Sequence, residues 1–284
     1  MNVTTATCPI EGPRTFAHRS APPTTRTRRD DVASLLDATR SEWIKFRSIR
    51  SNPAILGLSV VIGVLLSWIM AAFVKTDPNT HQVFTVANTF IFSTWLSTVL
   101  AAIAGTLMFT SEVQHGTLAA TITNQPARWV TVAAKTAIAA AFGLAIGVAG
   151  MAAGLSGGTI GGLGRGNTAG MPSTALWGLL LTMLAPVFGL GVGMIIRSSS
   201  AAVSTLLVWT FVIENLLRGI APAKLTRLLP FSAADGLLAI QSAGDTAATR
   251  AVALTRVQDA FLFSGYTVAA LVIGAVLLYR RDTN

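Results

Sequence analysis

The sequence predicts an all-α membrane protein built on six transmembrane helices, and three observations carry that reading. With 52% hydrophobic and only 12% charged residues in 284, the chain is far too apolar for a soluble domain, where charged residues make up about 25%. Six apolar runs follow one another at about 53–73, 84–110, 130–155, 173–196, 201–218 and 260–279. Each has about 18 or more residues, enough at about 1.5 Å per residue to cross a hydrocarbon core of roughly 30 Å. The third observation is where the charge lies. An even number of spans puts both termini on one side, and with that side cytoplasmic the inner segments hold twice as many Lys and Arg as the outer ones. This is the asymmetry of the positive-inside rule. The net charge of +9 is thus topological, and with no aromatic-interleaved basic face nucleic acid is not an expected partner.

Residues 1–30, rich in Thr, Pro and Arg without periodicity, read as a disordered cytoplasmic tail. Arg14, Arg19, Arg26, Arg28, Arg29 and Arg40 interrupt the first 50 residues and leave no apolar run for a signal peptide, so the first span is expected to act as signal and anchor. The only cysteine, Cys8, lies in this tail, which excludes an intrachain disulfide and a cysteine-based metal site. From Asp31 the pattern changes. Val32, Leu35, Leu36, Trp43 and Phe46 recur at helical spacing while Arg40, Glu42, Lys45 and Arg47 take the other face, so residues 31–52 read as an amphipathic interfacial helix.

The membrane domain, 53–284, begins with the first span and a short outer turn around Lys75, Asp77, Pro78 and Asn79. Span 2 carries Asn88, Ser93, Thr94, Ser97 and Thr98, groups able to bond across helices or line a path. Between spans 2 and 3 lies the polar interval Ser111–Arg128, longer than a connection needs and long enough for a helix of its own. Span 3 has Gly143-x-x-x-Gly147 and Gly150-x-x-x-Gly154, spacing suited to close helix packing. Lys135 near its inner end is expected to snorkel to the headgroups, and Trp43, Trp129 and Trp177 to sit near the interfaces. Ser156–Pro172, with seven glycines, reads as an outer loop. Pro186 is expected to kink span 4, and Arg197–Ser200 is a minimal inner turn. Span 5 ends in Glu214-Asn215-Leu-Leu-Arg218. An acid at that depth is a transport candidate, although the i, i+4 spacing also allows a structural pair with Arg218. The segment 219–259 is broken by Pro230 and is not expected to span.

Glu112-Val113-Gln114-His115-Gly116-Thr117 followed by Pro126-x-Arg128 resembles the first cytoplasmic loop of ABC-2 type permeases, the membrane subunits of ATP-driven exporters. The resemblance extends to Ser41-Glu42-Trp43-Ile44-Lys45-Phe46-Arg47 before the first span, to Leu229-Pro230-Phe231-Ser232-Ala233, and to Arg280-Arg281-Asp282. Two positions depart from the family pattern, Gln114 where Arg is common and Gln125 where Ser or Thr is common. The resemblance implies that Glu42, Trp43, Lys45 and Arg47 belong to an elbow helix along the inner leaflet. It implies further that Glu112, His115, Gly116, Thr117, Pro126 and Arg128 belong to a coupling helix seated on a separate ATPase, and that 219–259 caps the pathway. ATP and Mg would be bound by that partner and no cofactor by this chain. A second permease copy or a homologous permease would complete the path, with membrane lipids around it. Asn88, Glu214 and Asn215 are the candidate path residues.

The chain carries no ATPase chemistry of its own. Leu155-Ser156-Gly157-Gly158-Thr159 mimics part of an ATPase signature, yet none of Lys45, Lys75, Lys135 or Lys224 follows a glycine as a phosphate loop requires. Gly189-x-Gly191-x-Gly193 lacks the final glycine of a dinucleotide fingerprint. A membrane enzyme would need acid, base or metal ligands meeting at one depth, and His18, His81 and His115 fall in three different segments. An ion-coupled secondary transporter would call for several buried acids, and the spans offer only Glu214. The expected role is therefore the plasma-membrane permease subunit of an exporter, with a small molecule or lipid as cargo.

Overall fold

The computed structural model describes residues 28–48, 51–74, 84–117, 128–166, 168–240 and 251–281. Helices α1 (Arg28–Ser48), α2 (Ser51–Phe73), α3 (Val86–Gln114), α4 (Arg128–Ile160) and α5 (Met171–Ile196) come first. Next is a composite span: α6 (Ser199–Val208), a five-residue π-helical stretch (Trp209–Ile213) and α7 (Glu214–Ile220). The short α8 (Ala223–Thr226) and α9 (Pro230–Leu238) and the long α10 (Arg256–Arg281) complete the order. Among the described residues six helical stretches are long and apolar enough to cross a membrane, and there are no strands. The predicted tail up to residue 27 and the connections 75–83, 118–127 and 241–250 lie outside the described residues.

The spans alternate in direction, so α1, the start of α2, the end of α3, the start of α4 and the turn from α5 to α6 gather at one end of the bundle. The α7–α9 segment lies at the other. Helices α3, α4 and α5 form the centre, buried over 61%, 56% and 56% of their most apolar stretches, against 22% for α2 and for α6–α7 and 28% for α10. Small residues make that centre possible. On α4, Gly143 and Gly147 face Thr182 and Pro186 of α5, Gly150, Gly154 and Gly158 face Thr89, Ser93 and Ser97 of α3, and Gly157, with Gly161 just past the helix end, faces Ser67 and Ala71 of α2. One helix is thus approached on three sides where it has no side chain, the packing that replaces hydrophobic driving force within lipid.

The hydroxyls of α3 are absorbed by the same packing. Ser93 donates across to the Gly150 carbonyl and Thr106 to that of Gly189, while Thr94, Thr98 and Thr110 bond back to their own helix. All five are buried.

Two boundaries differ from the sequence reading. Helix α4 runs on to Ile160, so Ser156, Gly157, Gly158 and Thr159 are helical rather than part of an outer loop. The glycines there serve contact with α2 and α3, and the loop begins only at Gly161 and Gly162, the latter with φ +80. Helix α3 likewise continues to Gln114, four residues past the expected end of span 2. Pro186 lies within an unbroken α5. Its ring and carbonyl press against Gly143 and Gly105, so neighbouring helices fill the space around the missing N–H.

Helix α9 is too short to span and is buried. Phe231, Ala233, Ala234, Leu237 and Leu238 form a cluster with Leu181 of α5 and Phe263 of α10, flanked by Trp95, Trp177 and Trp209.

Candidate functional site

At the α1 end, three helices converge on one lysine. Lys135, about two turns into α4, is 2% exposed. Its ammonium bonds Glu42 Oε2 of α1 at 2.6 Å and Glu112 Oε1 of α3 at 2.5 Å. Lys45 closes the arrangement at 2.8 Å from Glu42 and 3.9 Å from Glu112. Two cations balance two carboxylates, which is the condition for keeping buried charge. Lys135 therefore does not snorkel as the sequence suggested, because two acids from other helices meet it inside the protein. Glu42, placed by helical periodicity on the polar face of α1, is 4% exposed. That periodicity separates apolar from charged side chains and is blind to a buried partner 93 residues away.

The apolar residues of α1 divide accordingly. Phe46 packs edge-on against Phe142 of α4, with ring centroids 4.6 Å apart, and stacks on Trp43. Trp43 and Ile44 remain exposed, as does Arg47.

The loop residues separate into an inward and an outward set. Glu112 occupies the last turn of α3 and points into the cluster, and among the described residues its Oε2 is buried with no hydrogen bond. His115, Gly116 and Thr117 are exposed. His115 Nδ1 is 2.7 Å from the Ser111 carbonyl and Gly116 has φ +69, the left-handed residue that ends a helix. His115-Gly116 thus reads locally as a helix stop. Gln114, one of the two departures from the family pattern, accepts from Ser199 Oγ at 2.9 Å and ties the end of α3 to the start of α6. Pro126 lies outside the described residues, and Arg128 begins α4 with its side chain outside them.

At the opposite end Glu214 is fully buried. Its carboxylate accepts the backbone N–H groups of Phe231 and Ser232 at 2.9 and 3.0 Å and the Trp209 indole N–H at 3.0 Å. It therefore caps the N-terminus of α9 from a neighbouring helix. Arg218 lies 3.5 Å from Glu214, as the i, i+4 spacing suggested, and closer, at 2.7 Å, to Asp235. Asp235 also accepts from the Trp95 indole at 2.9 Å.

Asn88 accepts from the backbone N–H and hydroxyl of Thr85 at the start of α3, and the exposed Asn215 bonds back to the Phe211 carbonyl. No hydrogen bond joins Asn88 to Asn215 or Glu214. Of the residues that complete these two networks, sequence reasoning assigns Lys135 only a snorkelling role and leaves Asp235 and Trp95 out of the candidate set. A buried lysine leaves no local mark, but Thr85-x-x-Asn88 has the spacing of a capping box and Gly116 that of a helix stop.

No curated protein matches the chain. A comparison with protein families matches residues 38–215 to the family described as ABC-2 family transporter protein. The match runs from the middle of α1 to the start of α7 and includes every member of the Glu42, Lys45, Glu112 and Lys135 cluster. It covers well over half of the chain, and the protein belongs to the ABC-2 transporter family as a multi-pass membrane permease.

Proposed function

We propose that this permease is one membrane half of an ATP-driven exporter and that a separate ATPase subunit drives it by engaging the connection between α3 and α4. One observation carries the proposal. The helices entering and leaving that connection are two of the three central ones of the bundle, so a push there acts on the core of the protein and not on a peripheral helix. His115, Gly116 and Thr117 stand exposed where α3 ends and supply the surface for contact. Closure of the ATPase dimer on nucleotide would bias the bundle between inward and outward access through differential contacts in the two states. In this reading both termini are cytoplasmic, two permease chains enclose the path, and the cargo is a small molecule or lipid.

The test is to co-express the chain, carrying a photoreactive side chain at Thr117, with candidate ABC ATPase subunits from the same genome. The expected result is copurification of nucleotide hydrolysis and a light-dependent cross-link from position 117 to the ATPase. Labelling of position 117 from the outside of intact cells, or cargo movement by the chain with no hydrolysing companion, would overturn the proposal.

A further inference from the structure

We infer that Lys135 is the positioning residue that makes α1, α3 and α4 move as one body when the α3–α4 connection is displaced. The inference rests on the ATPase-coupled reading above and adds to it the internal part through which displacement spreads.

The geometry points to such a clamp. The last turn of α3 and the first turns of α4 adjoin the connection in sequence, and α1 does not. Lys135 joins all three, with one ammonium between the carboxylates of Glu42 and Glu112 at 2.6 and 2.5 Å. These are short charge-assisted bonds in a place where Lys135 is 3% and Glu42 5% exposed over the side chain, so exchange with water cannot relax them. Sliding α4 past α1 or α3 would leave a buried charge without its partner, which is strongly disfavoured. Moving the three together preserves every bond. Below the cluster Phe46 rests on Phe142, adding an apolar contact between the same two helices. At the other side of α3, Ser199 donates to the buried Thr110 hydroxyl or to the exposed Gln114 amide oxygen, uncharged bonds that a shift of α3 relative to α6 breaks at less cost than a buried ion pair. The joint of α3 to α1 and α4 through Lys135 is thus stiffer than its joint to α6, so displacement of α3 is shared with α1 and α4 more than with α6.

The clamp is tested with spin labels on Ile160→Cys of α4 and Ile220→Cys of α7, both exposed at the far end of the bundle, in a Cys8→Ser background. Distances are compared between the nucleotide-free complex with the ATPase and the complex trapped with MgATP and vanadate. The parent is expected to show a shift of a few ångströms. Lys135→Arg is expected to retain it. Lys135→Met, and the charge-balanced Lys135→Met with Glu42→Met, are expected to bind the ATPase and support hydrolysis while losing most of the shift. The double variant keeps Lys45 and Glu112 as a neutral pair, so it addresses the clamp even where the single change impairs folding. A full parental shift in the folded double variant overturns the clamp and leaves the ATPase reading intact. A parent that fails to copurify with the ATPase overturns that reading and the clamp with it.

Discussion

Gly105 of α3 lies directly against Pro186 of α5, so closely that a β-carbon on Gly105 would overlap the proline's carbonyl group. The contact is backbone to backbone between two of the three central helices, and no side chain there can rotate aside. Gly105→Ala is therefore expected to destabilise the bundle by about 1–3 kcal/mol, the usual cost of overpacking a filled core. A thermal melt in detergent would check it, with Gly57→Ala, which meets nothing within 4 Å, as the control that does not destabilise.

Gly116 and Gly219 both face open space, yet alanine is expected to act on them with opposite sign. Gly116 has φ +69, where an L-residue is strained by about 1–2 kcal/mol. Gly219 sits within α7 with no left-handed angle, where alanine removes backbone freedom from the unfolded chain and gains roughly 0.5–1 kcal/mol. Hydrogen exchange at the end of α3 should quicken in Gly116→Ala, and the melting temperature should rise in Gly219→Ala.

Replacing Glu214 is expected to detach α9 from the composite span. Its two oxygens accept two backbone N–H groups and one indole, and each buried donor left without an acceptor costs about 1–3 kcal/mol. Glu214→Ala should cost about 3 kcal/mol or more. A cysteine replacing the buried Leu238 should be protected from thiol reagents in the parent and labelled rapidly in the Glu214→Ala background. Equal protection in the two would show that α9 is held by its apolar contacts alone.

What could be read from the sequence and what could not divides along the range of the interaction. Hydropathy accumulates over about 20 residues, so all six spans are legible from their own composition, as is the Glu214–Arg218 pair, which is set by one helical turn. The ends of α3 and α4 were misplaced because polar and glycine residues there look like loop. In fact Glu112 is neutralised by Lys135, 23 positions later, and Gly157 is filled by α2. Both compensations come from other helices. The π-helical stretch at Trp209–Ile213 is equally silent, since five residues of ordinary span composition carry no signal for it. It is Asp235 and Trp95, distant in sequence, that complete the polar network beside it.

The same logic sets the last prediction, which concerns stability alone. Lys135→Met leaves two carboxylates facing each other with only Lys45, 38% exposed over its side chain, to offset them. Removing one partner of a buried ionic cluster costs about 3–5 kcal/mol, whereas replacing a matched pair with apolar groups of similar volume is often neutral. Lys135→Met with Glu42→Met is therefore expected to recover most of the stability that Lys135→Met loses. The recovery should appear as a large coupling energy in a double-mutant cycle of melting temperatures, because the residues share one set of bonds. Additive losses would mean that the methionine side chains fail to fill the space, and that the cluster is held by packing more than by charge.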